Sequence, residues 1–273
     1  MARCGIGAFL RKLPGRVGST KTQKALDRTI KKFVDAGMQH AAFMVTFQGS
    51  KSQRTNDPRM VRQWAEGFAK HGIRVGLWGY PWIGREDVFM QAMDAAWCDP
   101  ISFGILNAEG GMRVTPAGQH VPIGYKFNAG SELRVRARAA HMTSEFAAWC
   151  ERRKLDNIFS SYGIMHQHGN FPWEQFLASH PIMSPQLYNA SVSDSQLAFS
   201  DWRAASGSVT VIQYDKFLMG IGAFGSMSGS MMDETLSRYT NGFPGLLGGI
   251  VWSEPQIDRS EYAAIKLYSD VWR

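Results

Sequence analysis

Residues 73–108, IRVGLWGYPWIGREDVFMQAMDAAWCDPISFGILNA, decide the fold. Two short runs rich in β-branched, aromatic and aliphatic side chains, IRVGLWGY (73–80) and SFGILNA (102–108), flank a stretch compatible with a helix. That order, strand then helix then strand, is the repeat of a parallel sheet with helical crossovers. Working outward, six further runs fit the same pattern: GIGAFL (5–10), AAFMVTF (41–47), NIFSSYG (157–163), IMSPQLYN (182–189), VTVIQYD (209–215) and GGIVWSE (248–254). Each is followed by a segment that reads as helix. Eight such pairs in 273 residues, with strands too apolar on both faces for a half-solvated sheet, predict α/β architecture of one kind, a single (β/α)8 TIM barrel.

Local signals support the helices. Thr20 with Gln23 three residues on suits a capping box, Asp57 precedes Pro58 at a first helical position, and Asp194 opens another candidate helix. In the first helix Leu26, Ile30, Phe33 and Val34 form an apolar stripe, with Lys and Arg on the other face. No Pro/Ser-rich linker divides the chain, so residues 1–273 read as one domain. With 44% hydrophobic and 19% charged residues, the chain can bury a sizeable core, which excludes intrinsic disorder. Cys4, Cys98 and Cys150 cannot all pair, and no disulfide framework is expected. The N-terminal apolar run is too short and Gly-interrupted for a signal peptide, and no stretch approaches the ~18–20 apolar residues of a membrane span.

In a barrel, chemistry gathers where strands end, at the C-terminal rim. The strand ends carry Tyr80 and Trp82, Asn107 and Glu109, Tyr162, Gln186 and Tyr188, Gln213, Tyr214 and Asp215, then Trp252 and Glu254. Aromatic rings, amides and a few carboxylates suit a carbohydrate: sugar C–H faces pack on rings, hydroxyl and N-acetyl groups need amide or phenol partners, and glycosidic cleavage needs a proton donor. Glu109 is the first candidate for that donor. It stands two positions after Asn107, on the same side of the chain, with Gly110 and Gly111 beside it. Burial among Trp and Tyr would raise its pKa, as a general acid requires. The long irregular segment 110–130 follows directly and is expected at the rim.

The segment GILNAEGG resembles the Asp-x-Glu strand of glycoside hydrolase family 25, the Chalaropsis-type lysozymes, and of related phage barrel proteins. GIGAFL, AGMQHAAFMV, GIRVGLWGYPW, SSYG, MSPQLYN and GIVWSE agree with that family in order. The resemblance implies a muramidase-like hydrolase of peptidoglycan or a related aminosugar polymer, of phage or prophage origin, released from the producing cell's cytoplasm to the cell wall or carried in the virion. It places the catalytic Glu on Glu109 and implies no metal or organic cofactor. The sequence departs from the family at Asn107, where the family has Asp. An amide carries no charge and cannot be base or nucleophile, though it can position substrate. The second carboxylate then falls to Asp215 or Glu254, or its role to the substrate's own acetamido group. Asn107, Tyr80, Trp82, Tyr162, Gln186, Tyr188, Gln213 and Trp252 remain as substrate-binding candidates. The rival expectation is a glycan-binding or structural virion barrel without catalysis.

Other signals are weaker. His166 and His168 could offer two nitrogens to a metal, but no Asp, Glu or Cys stands at a supporting spacing, so no metal site is expected. Residues 222–232, GAFGSMSGSMM, read as the seventh loop or a lid, and Trp173 in 168–177 as a packing wedge. The net charge of +7 is local: residues 1–54 hold 11 basic and 2 acidic residues, a net +9, and the other 219 residues carry −2. A solvated helix face is the default reading of Lys21, Lys24, Arg28, Lys31 and Lys32, and a dock for an anionic wall polymer or virion protein the alternative. Nucleic acid is disfavoured without interleaved aromatics. No separate wall-binding module is expected.

Overall fold

The computed structural model describes residues 4–47, 54–81, 86–109, 113–114, 120–121, 129–165, 171–188, 191–205, 217–222, 228–252 and 257–272. The barrel strands are β1 (Gly5–Leu10), β2 (His40–Phe47), β3 (Arg74–Tyr80), β4 (Ile101–Asn107), β5 (Asp156–Tyr162), β6 (Ile182–Gln186), β7 (Leu218–Gly222) and β8 (Gly248–Trp252). They alternate with helices α1 (Thr20–Asp35), α2 (Pro58–Ala69), α3 (Glu86–Ala96), α4 (Ala129–Arg152), α5 (Trp173–Leu177), α6 (Val192–Ala205), α7 (Gly229–Gly242) and α8 (Arg259–Ser269). Each strand pairs in parallel with its sequence neighbours, and β1 pairs with both β2 and β8, which closes the sheet. This is the expected (β/α)8 barrel. Two-residue strands add an antiparallel partner to β2 at Arg54–Thr55 and a small hairpin, Arg113–Val114 with His120–Val121, between β4 and α4.

Period-2 alternation divides the strands into two buried faces. Phe9, Ala42, Met44, Trp78, Ile105, Ile158, Ile182, Leu218 and Ile250 fill the lumen, while Ala8, Phe43, Leu77, Leu106, Phe159 and Val251 pack under the helices. Large lumen residues need small neighbours. A Cβ on Gly76 would fall 2.2 Å from the Phe103 ring, and one on Gly220 only 2.8 Å from the Pro185 carbonyl oxygen. The second contact lets β7 lie close beside β6.

Several local expectations are corrected. The seventh strand is Leu218–Gly222, not 209–215, and 209–215 lies outside the described residues. Both runs are apolar and only Lys216 and Phe217 separate them, so hydrophobicity alone does not choose between them. β6 ends at Gln186 rather than residue 189. The N-cap of α1 is Ser19, whose hydroxyl accepts from Thr22 N, and not Thr20. At α6 it is Ser191 Oγ that accepts from Asp194 N at 3.1 Å. Leu26, Ile30 and Phe33 are buried as the stripe requires, but Val34 is 51% exposed, one position too far round α1. Asp57 caps α2 through Arg59 N at 2.9 Å, with Pro58 following. Cys98 lies just beyond α3, Cys150 is buried in α4, and all three cysteines are free. Trp173 is a packing wedge, 5.5 Å from Trp202 and 4.5 Å from Phe171 between ring centroids. Among the described residues no helix is long and apolar enough to cross a membrane.

Candidate functional site

Strand register brings the site together. Across β4, β5 and β6 the lumen layer Ile105–Ile158–Ile182 is apolar, and the next layer toward the C-terminal rim is Asn107–Ser160–Ser184, all three fully buried. Above it Tyr162 pairs with Gln186. Two residues per strand thus turn the lumen from hydrocarbon to hydrogen-bonding groups.

Glu109 continues this inward face two positions beyond Asn107. Ala108 between them is pinned from both sides: its N–H donates to the Ser160 carbonyl at 3.0 Å, and its carbonyl accepts from Ser161 Oγ. The Glu109 backbone is therefore anchored although the strand has ended. Its carboxyl accepts from Gln186 Nε2 at 2.6 Å, and the same nitrogen donates to Asn107 Oδ1 at 2.9 Å and reaches Ser160 Oγ at 3.4 Å. Tyr188 OH donates to Gln186 Oε1 at 2.9 Å.

Burial holds the Glu109 pKa above the ordinary glutamate value, against the opposing pull of the Gln186 and Asn107 amides. No second carboxylate figures among these influences in the described residues. The phenols of Tyr80 and Tyr188 are pushed up by burial and further by the Glu109 charge, so both lie within electrostatic range of the carboxyl. Tyr162 acts on Tyr80 in turn. Trp252, partly exposed at the end of β8, rests on Phe9 and Trp78, each 5.0 Å away between centroids. The three rings close the lumen at the end of β8.

Of the expected site residues, Glu109, Asn107, Gln186, Tyr188, Tyr80 and Tyr162 are brought together, and Trp252 occupies the same end of the lumen. Trp82, Gln213, Asp215 and Glu254 lie outside the described residues, as do His166 and His168. Gln213 and Asp215 precede β7 in the chain, so the argument from a strand's C-terminal end no longer nominates them. Glu254 keeps its nomination, two positions after the end of β8 as Glu109 is two after the end of β4. Ser160, Ser161 and Ser184 were missed by the sequence reading; SSY after an apolar run was the only signal for the first two, and Ser184 sits within the apolar run of β6. Among the described residues no group of three His, Cys, Asp or Glu side chains could hold a metal ion.

A groove of about 470 Å³, lined by Ser144, Glu151, Asp156, Asn157, Ser179 and Pro181, lies at the other end of the barrel. There the Arg74–Asp156 pair, 2.6 Å apart, ties β3 to β5. Barrels place stability rather than chemistry at that face.

No protein-family model matches the sequence, and no curated protein matches it either. Solved structures do share its fold. The Group IV chitinase of Ostrinia furnacalis is 9% identical, over 98% of this chain and 99% of that one, with a TM-score of 0.61. The PgaB (BpsB) glycoside hydrolase domain of Bordetella bronchiseptica is 8% identical over 96% and 98%, with a TM-score of 0.60. A glycoside hydrolase family 18 N-acetylglucosaminidase of Paenibacillus barengoltzii is 8% identical over 97% and 98%, with a TM-score of 0.57. At such identities the likeness speaks for the barrel, and the resemblance to family 25 rests on the short motifs alone.

Proposed function

We propose that the chain is a glycoside hydrolase of an N-acetylated aminosugar polymer, peptidoglycan first among them, with Glu109 as general acid. One observation carries the reading: a carboxyl at the C-terminal rim whose pKa burial raises, held by the Gln186 amide, at the end of the lumen that also carries Tyr80, Tyr188 and Trp252. Such an acid protonates a leaving glycosidic oxygen. Tyr80, Tyr162 and Trp252 offer faces for sugar rings. The second half of the reaction falls to Glu254 or to the substrate's own acetamido group, since Asn107 carries no charge. The barrels of similar fold include a chitinase and an N-acetylglucosaminidase, which supports an N-acetylated substrate. The motifs shared with family 25 support the muramidase form and, with it, a phage-borne protein acting at the wall from the cytoplasm or virion.

The exposed Lys21, Lys24, Arg28, Lys31 and Lys32 of α1 make the flank through which an anionic wall polymer would dock.

The test is to incubate the purified chain with peptidoglycan and with chitin and follow new reducing ends. Release that disappears in Glu109→Gln supports the assignment; release that survives the substitution removes Glu109 from it. The presence of Asn107 where the resembled family has a carboxylate favours one other reading, a barrel that holds glycan without cleaving it. Binding to either polymer with no release would select that reading.

A further inference from the structure

Gln186 has two N–H donors and one carbonyl acceptor, and its neighbours use all three. Nε2 faces Glu109 Oε1 at 2.6 Å and Asn107 Oδ1 at 2.9 Å, while Oε1 receives the Tyr188 hydroxyl at 2.9 Å. A half-turn of the amide would set its oxygen against two other oxygens, one of them a carboxylate, so the surroundings fix its orientation. The constraint passes to Asn107. With Oδ1 committed to Gln186, Nδ2 is the atom left over; it is fully buried, lies near enough to the Glu109 carboxyl to draw its pKa down, and makes no hydrogen bond of good geometry among the described residues. A buried donor left unmet is costly, and a site keeps one where a ligand completes it.

We infer that Gln186 is a positioning residue rather than a sugar-binding one: oriented by Tyr188, it fixes the Glu109 carboxyl and turns Asn107 so that its NH2 is offered to a hydrogen-bond acceptor on the ligand. On an aminosugar beside the scissile bond, the carbonyl oxygen of an N-acetyl group is such an acceptor. The ammonium of a deacetylated sugar is a donor only, and meets the Asn107 NH2 hydrogen against hydrogen. An acidic residue at 107 would reverse that preference by accepting instead. The ligand clause rests on the proposed aminosugar reading; the orientation of Gln186 and Asn107 does not.

Two measurements test it. Binding of the N-acetylglucosamine pentamer and of the glucosamine pentamer is compared by calorimetry on the full chain carrying Glu109→Gln, so that neither is cleaved. The acetylated pentamer is expected to bind about tenfold more tightly, the worth of one hydrogen bond. Adding Asn107→Asp should abolish or invert the difference. Equal binding of the two, binding of neither, or an unchanged preference with Asp at 107 overturns the ligand clause. For the positioning clause, kcat, KM and the pH profile on the cleaved polymer are measured for Gln186→Leu and Tyr188→Phe. Expected are a fall in kcat of about 10- to 100-fold in Gln186→Leu with KM little changed, and a smaller fall in Tyr188→Phe. The alkaline limb should move upward in Gln186→Leu, because Glu109 loses a donated hydrogen bond while facing the same Tyr80, Tyr188 and Asn107. A KM effect with kcat and the limb unmoved would return Gln186 to the substrate-binding residues. If wild type cleaves no polymer, the hydrolase reading fails on its own, and carbon NMR titration of the Glu109 carboxyl in Gln186→Leu decides the positioning clause: an upward shift supports it and no shift overturns it.

Discussion

Nε2 of Gln186 lies 2.6 Å from Oε1 of Glu109, joining the ends of two strands, β4 and β6, that are not neighbours in the sheet. β5 lies between them and contributes Ser160, 3.4 Å from the same nitrogen. The acid is therefore held by three strands at once, and its position depends on barrel closure more than on the loop that follows it.

Replacing the acid should remove turnover. Glu109→Gln keeps size and the contact to Gln186 but cannot give up a proton, and reducing-end release should fall by about 10²–10⁴-fold. As the proposed general acid, Glu109 works in its protonated form. Activity should thus decline as pH rises through the Glu109 pKa, at a pH above that of an ordinary glutamate, in a profile of kcat/KM against pH.

The same substitution should stabilise the fold at neutral pH. A carboxyl whose pKa is raised on folding makes the folded state bind more protons than the unfolded one, so stability falls as pH rises from the unfolded value through the folded one. Denaturant midpoints of wild type and Glu109→Gln should agree near pH 3 and separate toward pH 7, with the variant the more stable.

Asn107→Asp should push the alkaline limb upward. It sets a second carboxyl beside Glu109, and like charges at close range hold one proton more firmly. A carbon NMR titration of glutamate side chains should show the Glu109 signal moving to higher pH than in wild type.

Acid should weaken the barrel through two buried imidazoles. His40 and His180 are lowered to about 4 and about 3 by burial. His40 Nδ1 meets the Cys4 carbonyl at 3.1 Å, and His180 Nδ1 meets Asn157 Oδ1 at 2.6 Å. A folded pKa below the unfolded ~6.5 means that the unfolded chain takes up protons first, so stability is present above pH 6.5 and is lost as pH falls toward 4. Each should cost about 2 kcal/mol by pH 5. Chemical denaturation at pH 7 and pH 5 should show a smaller difference for His180→Gln than for wild type.

Trp78→Ala should cost about 3–5 kcal/mol, the usual penalty for emptying a large buried site. Trp78 is fully buried in the lumen and touches both Phe9 and Trp252. The loss should also loosen Trp252, seen as weaker glycan binding in calorimetry of the folded variant.

Much of this barrel was legible in the sequence because its strands are apolar on both faces, and seven of the eight lie where the apolar runs stand. The seventh was not. VTVIQYD and LMGIG compete within 14 residues, and the close approach of Gly220 to the β6 backbone, which its missing Cβ permits, is a packing fact with no local signature. Glu109 was legible from its place two beyond a strand end. The role of Gln186 was not, since its partners lie 77 and 79 residues away in the chain and only register brings them within bonding distance. Val34 shows the limit of periodicity: one step of 100° along α1 carries an apolar residue from core to water.

The step in the lumen from Ile105–Ile158–Ile182 to Asn107–Ser160–Ser184 separates two jobs along each strand. Below it, side chains lock the barrel and resist exchange; above it, within two or three residues, they line the candidate site. A change of substrate can therefore be written into the last positions of β4, β5 and β6 and their loops while the hydrocarbon seal beneath stays intact. Such a barrel can drift from cutting a polymer to gripping it, or back, by altering a handful of terminal residues, and Asn107 occupies one of those positions.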